Sequence, residues 1–176
     1  MEIDEFWQIV ETARRQPGPV DEALVGELTK RSPEEVVAFQ GHLDRLREAV
    51  YRWDVWAAAY LLHGGCSDDS FMDFRAGLIA LGRDWYERAA ARPDALADHP
   101  VVLADAPDAD CDDFFQEGVL YAPAEAWTRL TGDRDAFYRA AARPAAATPP
   151  DMGEDFDFDD DAEMARHLPR LAALYL

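Results

Sequence analysis

Apolar residues recur along much of this chain at alternating spacings of three and four, the period of one face of an α-helix. The longest run is Val36, Phe39, Leu43, Leu46, Val50, Trp53, Ala57 and Tyr60, with no proline inside it. Ser32, Pro33 and Glu35 supply an N-cap, a proline at the first helical position and a capping-box acceptor. Gly64 and Gly65 supply the stop, because glycine enters the left-handed conformation that closes a helix. The pattern predicts one helix from Pro33 to His63, about 45 Å long at ~1.5 Å per residue, long enough to allow a kink near Trp53. Before Val50 its other faces carry Glu34, Gln40, His42, Asp44, Arg45, Arg47 and Glu48. From Val55 to Leu62 it is apolar all round, which belongs in the middle of a core.

The same reading extends to both sides. Asp4 is the predicted cap of a first helix with Phe6, Val10 and Ala13 in one stripe, widened by Trp7 and ended by Pro17-Gly18-Pro19. Val20 to Arg31 reads as a second helix, with Leu24, Val25 and Leu28 inward. Past the glycine corner, Asp68 or Asp69 is expected to cap a helix carrying Phe71, Phe74, Leu78 and Leu81, which Gly82 breaks or bends. Arg83 to Arg92 follows, anchored by Trp85 and Tyr86 and stopped by Pro93. From Asp94 to Asp113 the period fails: His99-Pro100, Pro107 and a series of aspartates leave Val101-Val102-Leu103 as an apolar island in a long acidic loop, with room for a short extended piece. Phe114 and Phe115 restart helical text, Pro123 begins another helix with Trp127 and Leu130, and Asp133 caps one with Phe137, Tyr138 and Ala141. Pro144 to Pro150 reads as an Ala-Pro linker. Asp151 to Glu163 holds eight acidic and no basic residues, and Met164, Leu168, Leu171 and Leu174 then return to helical spacing, with Pro169 kinking that helix or starting it afresh. The fold class is all-α: a single helical domain, residues 1–176, around one long central helix. Its core is 1–143, its linker 144–150, and an acidic segment with a C-terminal helix fills 151–176.

Composition narrows the function classes. At 176 residues and 49% hydrophobic content the chain can bury a sizeable core. Its 36 acidic and 17 basic residues give a formal net charge of −19, which repels phosphate backbones and anionic lipid, so neither nucleic acid nor a membrane is an expected partner. A basic partner protein, or metal ions, is compatible with that charge; the plainer and favoured reading is that it keeps the protein soluble. Met1-Glu2-Ile3-Asp4-Glu5 is acidic and precedes no apolar run, unlike a signal peptide. Cys66 and Cys111 are too few for a disulfide framework and read as reduced thiols, which points to the cytoplasm.

Trp53-Asp54-Val55-Trp56-Ala57-Ala58-Ala59-Tyr60, the corner Gly64-Gly65-Cys66-Ser67-Asp68-Asp69, and Phe74-Arg75 with Leu78-Ile79 resemble the bacterial family of uncharacterised domains called DUF4240. Phe6-Trp7 and Ser32-Pro33-Glu34-Glu35 fit the same family, and the acidic run before Leu168-Pro169-Arg170-Leu171 is similar to some members. The resemblance spans the first two thirds of the chain. It implies a domain and no particular chemistry, since the family carries no assigned activity.

The candidate site is the Gly64 to Asp69 corner. Asp68 and Asp69 sit at a predicted helix N-terminus, where a cap and a first-turn charge explain both. The functional reading adds Arg75, two turns along, with Arg52 or Asp54 from the preceding helix and Trp53 and Tyr60 as walls. An Arg52–Asp54 ion pair is the structural alternative. Cys66 just before a helix N-terminus, with His63 close in sequence, suggests a nucleophile, yet Asp68 and Asp69 would oppose its ionisation. Of His63, Cys66, His99 and Cys111 only His63 and Cys66 have ligand-like spacing, and a structural zinc site needs four ligands. Asp155, Asp157 and Asp159 superficially match a calcium loop, but Asp160 stands where glycine is needed and Arg166 where a bidentate Glu is needed, which excludes an EF-hand; a solvated acidic stretch capping the last helix is favoured over weak binding of a hard cation, and no metal site is expected. No phosphate loop, nucleophile elbow or HExxH occurs, and no cofactor is expected. Two readings follow: a non-enzymatic protein- or ligand-binding module, which is preferred, and an enzyme with its site at this corner.

Overall fold

A computed structural model describes residues 1–105, 111–142 and 151–176, and among these helices are the only regular structure. The expected linker, 144–150, and Pro107 of the acidic loop lie outside the described residues. The chain is all-α, with the helices α1 Ile3–Arg14, α2 Val20–Leu28, α3 Pro33–Ala49, α4 Trp53–His63, α5 Asp68–Ala80, α6 Arg83–Ala91, α7 Pro100–Asp105, α8 Glu117–Thr131, α9 Arg134–Ala141, α10 Asp161–His167 and α11 Pro169–Tyr175.

The helix expected over Pro33 to His63 is in fact two. It starts as the sequence requires: the Ser32 hydroxyl accepts the Glu35 N–H at 3.3 Å, and the Glu35 carboxylate accepts the Ser32 N–H at 2.8 Å. At Arg52 the backbone becomes extended, with φ −140° and ψ 152°. The Arg52 guanidinium donates to both Asp54 carboxylate oxygens at 2.9 Å and to the Ala90 carbonyl at 2.8 Å. The Trp53 N–H, which in a continuous helix would bond the Ala49 carbonyl, donates instead to the carbonyl of Met152 at 3.0 Å. Partners from residues 90 and 152 therefore stabilise the break, while Val50 and Ala57 on either side still face one core.

The central element is α5 rather than the 33–63 segment. Phe71, Phe74 and every residue from Arg75 to Ala80 are buried, and α5 packs against α1, α3, α4, α6 and α8. Gly77 permits the closest of these approaches: a Cβ there would lie 1.8 Å from the Phe114 carbonyl oxygen. A single apolar core runs from Phe6 and Phe39 through Leu62 and Leu78 to Met164, Leu168 and Leu171 near the C-terminus.

Other local expectations are corrected in the same way. Glu2 rather than Asp4 is the N-cap of α1, without a side-chain bond, and the Asp4 carboxylate reaches Arg83 at 2.7 Å. The acidic loop begins as a 3₁₀ turn, Pro93–Asp98, followed by α7, so Val101-Val102-Leu103 is helical and Val102 is core. Buried Asp94 accepts the N–H groups of Arg170 and Leu171 at 2.9 and 3.0 Å and thereby caps α11 from across the molecule. Pro123 lies inside α8 rather than starting a new helix. Pro169 does begin a fresh helix, and Asp133 caps α9 as expected.

Candidate functional site

The corner between α4 and α5 is made by glycine. Gly64 closes α4 at φ +65°, and Gly65 follows at φ +131°, both in the region that favours a residue without Cβ. The turn then hands the chain to Ser67, which is the actual N-cap of α5: its hydroxyl accepts the Ser70 N–H at 3.1 Å. Asp68 and Asp69, expected to include the cap, are both exposed first-turn residues, stabilised there by the helix dipole. Neither carboxylate has a side-chain hydrogen bond or ion pair among the described residues.

Three of the expected site residues do converge. Asp68, Asp69 and Arg75 line one open pocket of about 290 Å³, together with Tyr51, Trp56, Phe71 and Met72. An aromatic stack forms its wall: Trp56 on Phe71 with centroids 4.7 Å apart and Phe71 on Tyr51 at 5.9 Å, while Trp53, which does not line the pocket, stacks on Trp56 at 5.4 Å. The Trp56 indole N–H is held by the Cys66 carbonyl at 3.0 Å, which fixes the ring. Arg75 is only 9% exposed. Its guanidinium carbon lies 4.6 Å from the Tyr51 ring centroid and 4.9 Å from that of Phe71. Nε donates to the Phe71 carbonyl at 3.3 Å and one Nη to the Arg47 carbonyl at 3.2 Å. No carboxylate pairs with Arg75 among the described residues, and its Nη2 donates to none of them. Burial, and then the like charge of Arg47, pulls the Arg75 pKa down to about 10, which still leaves it a cation at neutral pH.

The other expected members are elsewhere or already engaged. Arg52 and Asp54 form the bidentate pair described above, beside Met152, Gly153, Glu154 and His167. Trp53 and Tyr60 are covered by the C-terminal segment: Phe158 meets the Trp53 ring at 6.1 Å and the Tyr60 ring at 5.6 Å, and the Tyr60 hydroxyl donates to Asp159 at 2.5 Å. That hydrogen bond raises the Tyr60 pKa. Phe156 stacks on His167 with centroids 3.8 Å apart, so both phenylalanines of the acidic run lie against the helical body. The His63 ring is tied to the Gly65 carbonyl at 3.0 Å and packs on Phe115. Burial pushes the Cys66 thiol up to about 12, with Asp73 adding to the effect and the bond from Trp56 opposing it, so the thiolate that a nucleophile requires is scarce. His99 lies between Trp85 and Phe114, its pKa lowered by burial, and buried Cys111 lies 3.5 Å from the Tyr175 hydroxyl. Among the described residues no three His, Cys, Asp or Glu side chains are placed to hold a metal ion.

Sequence reasoning missed Tyr51, Trp56, Phe71 and Met72 as pocket walls. One signal for Phe71 was present: it stands four positions before Arg75, on the same face of a helix. It also missed Arg47, whose carbonyl helps hold Arg75 and whose own Nε is buried without a partner among the described residues. Larger depressions exist, including one of about 370 Å³ beside Arg47 and one of about 640 Å³ along α1. The corner is distinguished by its chemistry rather than its size.

Fold and site together define a class: an all-α domain with an aromatic-walled pocket in which a buried guanidinium and two first-turn carboxylates face one space. The model of one family, DUF4240, a protein of unknown function, matches residues 1–129, and the chain belongs to that family. No curated protein and no solved structure matches it.

Proposed function

We propose that the chain is a non-enzymatic module that binds a small ligand at the α4–α5 corner. The observation that supports this is Arg75, a nearly buried cation with spare donors and no carboxylate partner among the described residues. A guanidinium has five donors, and those that protein acceptors leave over are met by water or by the anionic group of a ligand. The walls are pre-formed, because Trp56 and Phe71 are fixed by stacking and by the Cys66 carbonyl, so binding them costs little ordering entropy. A protonated Cys66 and an engaged His63 favour binding over nucleophilic chemistry. Two free thiols are in keeping with a cytoplasmic setting. The net charge of −19 argues for a basic protein rather than nucleic acid or membrane wherever a macromolecular partner is involved.

The test is a thermal-shift screen of wild type, Asp69→Ala and Arg75→Lys against divalent metals, nucleotides and common metabolites. A ligand at about a hundredfold excess over its Kd should raise the wild-type Tm by roughly 5–10 °C and raise the variants less. If no compound shifts wild type, or one shifts all three proteins equally, ligand binding at this corner is wrong.

A further inference from the structure

Resting on that reading, we infer that the corner pocket takes a zwitterion, with an anionic group on Arg75, a cationic group on Asp68 and Asp69, and an apolar body between them. The charges of the pocket select this class by elimination. An anion alone would meet Arg75 but would also approach two exposed carboxylates on a chain of net charge −19. A cation alone would meet the carboxylates but face a guanidinium already lying over the Tyr51 and Phe71 rings. A neutral apolar ligand would desolvate Arg75 further and leave its free Nη2 without an acceptor. Carrying both charges answers both ends.

Helix geometry sets the separation of those charges. Asp68 and Arg75 are seven positions apart in α5, about 10 Å of helix rise. The Arg75 side chain folds back about one turn, its Nε on the Phe71 carbonyl, which leaves roughly 5–10 Å between the opposing charges. Trp56 and Met72 line the interval, so the body should be an unbranched or flat apolar spacer. Laid along the floor of the pocket, an ω-amino acid with several methylenes spaces its charges to match, whereas those of an α-amino acid are only about 3 Å apart.

The experiment uses the whole chain, labelled at the indole nitrogens, with the Trp56 resonance as reporter and Trp56→Phe to assign it. Titration with glycine, γ-aminobutyrate, δ-aminovalerate and ε-aminocaproate should move Trp56 with affinity rising along the series, ε-aminocaproate binding at least about tenfold tighter than glycine. N-acetyl-ε-aminocaproate, which lacks the cation, and ε-aminocaproamide, which lacks the anion, should each bind about tenfold more weakly than the parent. The exposed pair Asp68→Asn with Asp69→Asn should weaken ε-aminocaproate by a similar factor but not its N-acetyl form, which loses two repelling carboxylates and should bind as well or better. Equal binding of the acetylated and parent compounds overturns the zwitterion. So does a failure of the whole series to move Trp56: if a compound from the metabolite screen moves it, ligand binding at the corner survives; if none does, both readings fall.

Discussion

At the scale of single residues, the environment of Cys66 withholds the water that would solvate a thiolate, and the acidic neighbour Asp73 adds to the penalty. The thiol pKa of about 12 in the folded chain compares with about 8.5 for a free cysteine. Alkylation with iodoacetamide at pH 8 should accordingly be much slower than in the urea-unfolded chain, and its rate should climb until well above pH 10. A rate plateau near pH 8 would show an ordinary thiol. The linked effect on stability has a definite sign. The folded thiol keeps a proton that the unfolded one releases, so this contribution is fully present below about pH 8.5 and declines as pH rises toward 12. Tyr86, pushed up to about 12 by burial, acts in the same direction from about pH 10. Gly77 makes a second residue-scale prediction. With the Phe114 carbonyl oxygen 1.8 Å from where a Cβ would sit, Gly77→Ala must move backbone rather than a flexible side chain. Despite alanine's better helix propensity, urea denaturation should show a loss of about 3 kcal/mol or more. An increase in stability would mean that the α5 contact with Phe114 yields freely.

At the scale of elements, α11 shows how a short helix is held. Seven residues are too few to be helical alone, and Leu168 ahead of it offers no capping side chain. Asp94 supplies the acceptor from 76 and 77 positions away, inside the protein. Asp94→Ala would leave the buried Leu171 N–H and the part-buried Arg170 N–H unpaired, and should lower unfolding free energy by about 1–3 kcal/mol. In hydrogen exchange the amides of Arg170 and Leu171 should lose protection before those of α5; unchanged protection there would show another acceptor. This residue also marks where the sequence stops being legible. The helical text of α1 to α6 was readable, with α3 and α4 read as one helix, because their apolar period and their glycine and proline stops are local. Ser32 and Asp133 were readable as caps for the same reason. Asp94 looked like one more acid in a loop, and Val50 to Arg52 looked like helix, because what decides each is a group far along the chain: Arg170 for one, Ala90 and Met152 for the other. The candidate site divides along the same line. Asp68, Asp69 and Arg75 lie on one helix and could be grouped from sequence. Tyr51 and Trp56 join them only because the chain breaks at Arg52 and α4 then sets Trp56 on Phe71.

At the scale of the whole molecule, the 19 surplus negative charges are not spread evenly. Residues 151–163 hold eight acids and no base, yet this segment lies along α4, bonded through Met152 to the Trp53 N–H and through Asp159 to Tyr60. Arg166 gives local compensation, pairing with Glu154 at 3.1 Å and Glu163 at 2.6 Å. These pairs are exposed, and such pairs contribute about 0–1 kcal/mol each, whereas the repulsion is shared among many like charges within a Debye length. Salt screens both, and where like charges outnumber pairs the repulsion is the larger loss. Raising NaCl from 10 mM to 300 mM should therefore raise Tm, by roughly 2–5 °C. The gain should be local before it is global: the Trp53 amide should gain exchange protection with salt, while that of Phe74, deep in α5, tracks only the overall stability. A fall in Tm with salt would show that the ion pairs outweigh the repulsion. A rise without a change at Trp53 would place the repulsion elsewhere than the acidic segment. The expected pattern leaves 151–160 as the part of the fold most responsive to charge. A basic partner would then act on the same face of α4 as salt does, by neutralising the acids that lie across Trp53 and Tyr60.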